Sequence, residues 1–177
     1  MFKSLKMALV GLVAAVFMTG SASALTQVVA GGSYDITSDN LFNGAVDTNA
    51  GGGGVYSVNF TSPVDPLGAS VEATIGIRLL TSAFPLGLTV SWVDANNPTN
   101  VLASTPVLGG VTTTLRTLFS SVSPNTLNQN LVFSWASSQP DVTFDFDVAA
   151  VPLPAGGVLL LTALGGLALV RRRKTAA

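Results

Sequence analysis

Apolar side chains recur at every second position through the middle of this chain, the spacing of half-buried strands. Tyr56, Val58 and Phe60 alternate with Val55, Ser57 and Asn59, and Val71, Ala73, Ile75, Ile77 and Leu79 alternate with Glu72, Thr74, Gly76 and Arg78. Leu88, Val90 and Trp92 share one face, as do Leu131, Phe133 and Trp135. The clearest case is Val142, Phe144, Phe146 and Val148, opposed by Asp141, Thr143, Asp145 and Asp147. Turn chemistry separates the runs: Asn43-Gly44 and Gly109-Gly110 read as two-residue hairpins, and Asp94 to Pro98 as a longer turn. Roughly seven to nine short strands at this spacing predict an all-β domain, an antiparallel β-sandwich or jelly roll with no helix inside it.

The pattern changes at both ends. Lys3 and Lys6 precede an apolar run from Met7 to Met18 that is too short for a permanent span, and Ala22-Ser23-Ala24 supplies the small residues signal peptidase requires. Residues 1–24 therefore read as a signal helix cleaved between Ala24 and Leu25. Near the other end, 155–170 form an apolar stretch, about 24 Å as a helix at 1.5 Å per residue. Hydrocarbon is about 30 Å thick, so this is a marginal single transmembrane helix. Arg171, Arg172, Arg173 and Lys174 then form a stop-transfer cluster that the positive-inside rule holds on the cytoplasmic side. Three segments follow: signal peptide 1–24, exported sandwich 25–150, and a tail over 151–177.

Charge changes the picture next. The near-neutral whole chain hides an uneven split, because six of its eight cations lie in the ends while all nine carboxylates lie in the middle. Only Arg78 and Arg116 are positive there, so the exported domain carries −7 and repels polyanions. No nucleic-acid role is expected. Without Cys, the domain has no disulfide to rely on outside the inner membrane. Without His or Cys, and with no Lys between 7 and 173, Ser-His-Asp, Cys-His and Ser-Lys systems, Schiff-base lysines and His- or Cys-ligated zinc all lack a member. The expectation is a protein that is not an enzyme; a carboxylate-only hydrolase is the one chemistry the composition permits.

The tail carries a motif. Val151-Pro152-Leu153-Pro154-Ala155, an apolar segment to Val170 and a basic end at 171–174 together resemble the VPLPA variety of PEP-CTERM sorting signals on exported proteins of Gram-negative bacteria. The resemblance implies an exosortase substrate: a membrane-embedded protease or transpeptidase cuts near the motif, and the product reaches the cell surface or the exopolysaccharide of a biofilm matrix. It covers about 27 residues and implies nothing about the fold of the rest. Leu153 stands where the Val-Pro-Glu-Pro form has Glu. A Gram-positive sortase pattern fits less well, because Gly156 occupies its Thr position.

Candidate sites inside the domain are few. Asp35, Asp39 and Asp47, among several Asn, offer hard oxygen ligands to Ca²⁺, although Leu41 and Ala50 break the EF-hand spacing; turn-forming Asp and Asn explain the same composition. No other cofactor is called for. Asp145 and Asp147 stand two apart on one strand face, about 6.5–7 Å, a spacing any solvated strand also shows. Trp92 and Trp135 fall on the apolar phase and read as core, not as a sugar platform. Gly51 to Gly54 precede a strand, not a helix, and read as a loop. The leading expectation is an exported, non-enzymatic cell-surface or matrix protein, membrane-anchored and then processed through its tail. The alternative is a calcium- or glycan-binding adhesin module.

Overall fold

The computed structural model describes residues 25–48 and 51–151. Ten strands and one short helix follow in the order β1 (Leu25–Val28), β2 (Ser33–Asp35), β3 (Leu41–Asp47), β4 (Gly54–Thr61), β5 (Leu67–Thr74), α1 (Ile77–Ala83), β6 (Leu88–Asp94), β7 (Val101–Pro106), β8 (Thr112–Phe119), β9 (Asn128–Trp135) and β10 (Thr143–Val151). They form two five-stranded sheets, β1-β3-β10-β5-β8 and β2-β4-β9-β6-β7. The architecture is the expected β-sandwich, but not a wholly antiparallel one: β1 runs parallel to β3 and β2 parallel to β4. The expected signal helix over 1–24 and membrane helix over 155–170 fall outside the described residues. Among the described residues no helix is long and apolar enough to cross a membrane.

The inward phase of each predicted strand is buried. Tyr56, Val58, Phe60, Leu88, Val90, Trp92, Leu131, Phe133, Phe144, Phe146 and Val148 all face the space between the sheets. Removing such side chains from water is the main stabilising contribution, about 1.5–3 kcal/mol for each large one. Aromatic rings dominate this core, with centroids 4.9 to 6.4 Å apart and mostly edge-to-face.

Three expectations fail for identifiable reasons. Alternation from Val71 to Leu79 predicted one long strand, whereas β5 ends at Thr74 and α1 begins at Ile77 after Gly76. The helix places Leu79, Leu80, Ala83 and Phe84, three and four apart, against the core, and Pro85 stops it. Asn43-Gly44 is no hairpin but the middle of β3. A Cβ on Gly44 would lie 2.3 Å from Phe146 Cζ and 2.8 Å from Val28 Cγ2, so the glycine is needed for close approach. Gly109-Gly110 does not join a hairpin either, because β7 and β8 belong to different sheets. Its turn crosses the sandwich, with Gly110 at φ 79°.

Candidate functional site

Leu25 and Val151, the outermost described residues, lie at the same end of the sandwich. Leu25, first in β1, pairs with Leu41, and Val148 of β10 pairs with Phe42, so Ala149 to Val151 run out past the start of β3. At about 4.8 Å between strands and 3.4 Å per residue, Leu25 and Val151 sit about 10 Å apart across the sheet and about 7 Å along it. Val151 still pairs with Gly68 on β5. The predicted cleavage residues Ala22 and Ala24, the motif residues Pro152 to Ala155 and the cluster Arg171 to Lys174 lie outside the described residues. The loop at Gly51–Gly53, the β9–β10 turn and the loop after α1 occupy the opposite end of the sandwich.

The proposed calcium ligands do not converge. Asp35 ends β2 and its Oδ1 accepts from Thr37 N (2.8 Å) and Thr37 Oγ1 (2.7 Å), an Asx turn. Asp39 accepts from Thr26 Oγ1 (2.5 Å) and Asn40 N (3.0 Å). Asp47 closes the far end of β3, about 20 Å from its start at 3.3 Å per residue. No group of three metal-ligating side chains gathers among the described residues.

The outward faces of the two sheets differ in charge. On β1-β3-β10-β5-β8 the outward phase carries Asp47, Asp145, Asp147 and Glu72 against Arg116 alone. Glu72 lies directly across from Asp147, whose Oδ1 accepts from Asn43 Nδ2 (2.9 Å). Glu72, Asp145 and Asp147 line an open groove of about 390 Å³ with Thr74, Leu79 and Thr112. Asp141 stands apart in a turn at φ 58°. Asp145 and Asp147 stand two apart on this open strand face, as the alternation placed them.

On β2-β4-β9-β6-β7 the outward phase is hydroxyl and amide. Asn59 Nδ2 donates to Asn128 Oδ1 (2.7 Å) and Asn130 Oδ1 (2.9 Å), while Ser33 Oγ donates to Asn59 Oδ1 (2.7 Å). Ser57, Val132, Ser91 and Ser104 make the next row, with Ser91 and Ser104 hydroxyls 2.8 Å apart. Val55, Ser134 and Thr89 make the row beyond and, with Leu86, border a shallow cleft of about 590 Å³. The carboxylates of the described strands here stand at strand ends, Asp35 at the last position of β2 and Asp94 at the last position of β6.

The two tryptophans part company. Trp92 is sealed, edge-on to Phe60 and Phe119, as its phase predicted. Trp135 keeps the core phase but sits at the sandwich's end, half-buried, with its indole lying across Gly54 and Phe84 edge-on.

A third cleft was invisible in the sequence. β1 stops at Val28, opposite Gly44, while β3 continues through Ala45, Val46 and Asp47. The notch this leaves has about 310 Å³, lined by Gln27, Val28, Val29, Ala30, Ala45, Asp47 and Tyr56. Tyr56 is 8% exposed, and its hydroxyl has no hydrogen-bond partner among the described residues. Burial, with the neighbouring Tyr34 phenol adding to it, raises the Tyr56 hydroxyl above its ordinary value, so it stays protonated. No signal in the chain marks this place, because its members come from β1, β3 and β4.

No family model matches the chain, and no curated protein matches it. Among solved structures it is similar to a carbohydrate-binding module, CBM36, in complex with calcium and xylotriose: 14% identity, 60% of this chain and 78% of that chain covered, TM-score 0.32. It is also similar to a structure addressing the promiscuous specificity of carbohydrate-binding modules from the β-sandwich superfamily: 14% identity, 62% and 52% covered, TM-score 0.33. At these scores neither likeness bears on ligand or topology.

Proposed function

We propose that this chain is an exported, non-enzymatic β-sandwich of the bacterial cell surface or extracellular matrix, delivered through its C-terminal sorting tail. Signal peptidase removes 1–24, the span over 155–170 holds the domain at the membrane, and an exosortase-type protease cuts near Val151-Pro152-Leu153-Pro154. What carries this reading is the shared exit of Leu25 and Val151 from one end of the sandwich. Two membrane-directed segments then enter the same bilayer without crossing the domain, and the opposite loops are held outward. Intact-mass measurement on protein recovered from cells and medium tests it. Loss of 24 N-terminal residues and a new C-terminus near residue 150 are expected; a mature surface form that keeps Arg171 to Ala177 removes the processing step.

A second reading, glycan binding, is favoured by the uncharged Ser33–Asn59–Asn128–Asn130 face. Its side chains are fixed by their own hydrogen bonds, so a ligand meets little ordering cost, and a neutral polysaccharide meets no repulsion there. Retention on a neutral polysaccharide such as dextran, reduced in Asn59→Ala/Asn130→Ala, is the expected behaviour; equal retention of the double variant would discard it.

A further inference from the structure

The end of the sandwich where Leu25 and Val151 lie exposes apolar side chains that its own sheets do not cover. In the sheet β1-β3-β10-β5-β8 the outermost outward row is Val151, Gly68 and Leu118, and the next runs from Leu25 to Arg116. Val151, Leu118 and Leu25 are exposed there, Leu25 to 63%. Past the strand ends, Val64 and Val122 stand out from the β4–β5 and β8–β9 loops, Val122 to 69%. Both loops are fixed. Ser62 Oγ donates to Val64 O (2.8 Å), Val122 N donates to Ser120 Oγ (3.2 Å), and Ser121 N and Oγ both donate to Asp65, tying one loop to the other. Single exposed apolar side chains are ordinary, but a group of them held together at one end marks an interaction surface.

What covers this surface is set by the chain that follows it. β10 is the middle strand of its sheet, so Val151 leaves at the centre, with Leu25 two strands away on one side and Leu118 two strands away on the other. Each stands about 10 Å to the side, at about 4.8 Å per strand. Residues 152–154 alone separate Val151 from the apolar run over 155–170, a reach of about 14 Å when fully extended. Headgroups fill roughly 5–7 Å of that distance on each side of the hydrocarbon. The remaining gap, about 7–9 Å, is thinner than one helix, so no further layer of protein fits between sandwich and bilayer. Charge then selects the lipid. Asp35, Asp39, Asp65 and Asp94 stand at this end against Arg116. Within a Debye length of about 8–10 Å they repel an anionic surface, and a zwitterionic one is what fits.

We propose that the end bearing Leu25, Leu118, Val151, Val64 and Val122 rests on the zwitterionic lipid surface of the bilayer that carries the tail, seating the anchored domain in one orientation. The inference rests on the tail's being a membrane span and concerns the form that has not yet been cut. Seated this way, the domain turns the loops at its opposite end, with Leu86, away from the membrane.

The chain contains no Cys, so a single introduced cysteine reports one place. Val64→Cys, Val122→Cys and, at the opposite end, Leu86→Cys are each nitroxide-labelled in the full chain and reconstituted into phosphatidylcholine vesicles. Collision of the label with oxygen and with a nickel chelate is read by EPR, and alkaline carbonate extraction of the same vesicles reads the span independently. The oxygen-to-nickel ratio is expected to be several-fold higher at Val64 and Val122 than at Leu86, and to fall when phosphatidylglycerol replaces part of the phosphatidylcholine. Leu25→Asp/Leu118→Asp, at exposed positions, should return the label at Val122 to the ratio found at Leu86. A chain that resists carbonate but shows equal ratios at all three positions overturns the docking and leaves the span standing. Ratios unmoved by phosphatidylglycerol or by the aspartate pair overturn the docking as well. Release of the chain by carbonate removes the span, and the docking with it.

Discussion

Replacing Gly44 with alanine should unfold part of this domain's margin, although local propensity argues the opposite. Glycine inside a strand is worse than alanine by roughly 0.5–1 kcal/mol, so an unobstructed Gly44→Ala would stabilise. The site is obstructed. The new methyl would stand 2.3 Å from Phe146 Cζ, 2.6 Å from Phe146 Cε1 and 2.8 Å from Val28 Cγ2. Phe146 cannot swing aside, because it is 1% exposed and pressed on Phe133 at 4.9 Å and Tyr56 at 5.7 Å. Overpacking of this kind costs about 1–3 kcal/mol, which outweighs the propensity gain. For a domain of this size each kcal/mol lowers Tm by about 3–6 °C, so a drop of roughly 3 to 15 °C is expected by calorimetry. Gly76→Ala is the control: nothing stands within 4 Å and φ is −65°, so its cost stays below about 1 kcal/mol. A hairpin at 43–44 would also suffer from Gly44→Ala, and Asn43→Thr separates the cases. In a two-residue turn that change is severe; in β3 it removes one half-buried hydrogen bond to Asp147 and costs under about 1 kcal/mol. A Gly44→Ala protein as stable as the parent would refute the placement of Phe146 and, with it, the β1-β3-β10 register.

Gln129→Leu tests the polar pin between the sheets. Gln129 is 0% exposed, donates to Leu118 O (2.8 Å) and Thr126 O (2.9 Å), and accepts from Thr117 Oγ1 (2.8 Å). Leucine leaves all three unpaired, and a loss of about 2–5 kcal/mol in urea unfolding at unchanged m is expected; a change under 1 kcal/mol would mean water replaces the amide without cost. Asp65 is held below the usual carboxylate range, chiefly by the Ser121 hydroxyl, with burial opposing and the Ser121 N–H assisting. Its contribution is therefore present above the unfolded pKa of about 3.9 and lost as pH falls through the lower folded value. Asp65→Asn should flatten the Tm curve below about pH 4, and an unaltered slope would contradict the Ser121 contact. Tyr56 works in the other direction: its raised value gives stability that is complete below about pH 10 and fades above it. Tyr56→Phe should soften that alkaline decline, and an unchanged decline would show the phenol ionising without penalty.

Strand alternation was the legible part of this chain, since a two-residue period survives wherever one face is buried and the other wet. Tyr56–Phe60, Leu88–Trp92, Leu131–Trp135 and Phe144–Val148 all lie in strands with the expected faces inward. Short edge strands were not legible. β1 and β2 have four and three residues, too few for a period to emerge, and their parallel pairing depends on partners elsewhere in the chain. Asn43-Gly44 misled because local turn chemistry and long-range close packing both select glycine, and only the second involves Phe146. The acid cluster misled in the same way, since Asp35 and Asp39 satisfy local backbone and hydroxyl donors. The notch needed a strand to end early, which composition does not record.

The short edges bear on how such a domain could serve in a matrix. Low charge density and many β-branched residues are the composition of chains that self-assemble, and strand-edge pairing is the direct route to assembly. Each edge is blunted instead. β1 and β2 offer four and three residues, β7 ends on Pro106, and β8 is covered at both ends. Leu108 N donates to Thr113 Oγ1 at one end of β8, and Gln129 holds Leu118 O while Thr126 bridges Phe119 at the other. The middle of β8 carries Arg116, and the neighbouring sheet face carries four carboxylates, so two copies meeting there repel. A matrix role then has to run through side-chain surfaces, not through continuous sheets. The expected behaviour is a monomer by sedimentation at all accessible concentrations at neutral pH, with thioflavin-negative solutions over days. Gln129→Leu uncovers the end of β8 and should be the first variant to associate. Concentration-dependent assembly of the parent protein, or a Gln129→Leu variant that stays monomeric while half unfolded, would show that these edges are not what keeps the sandwich apart.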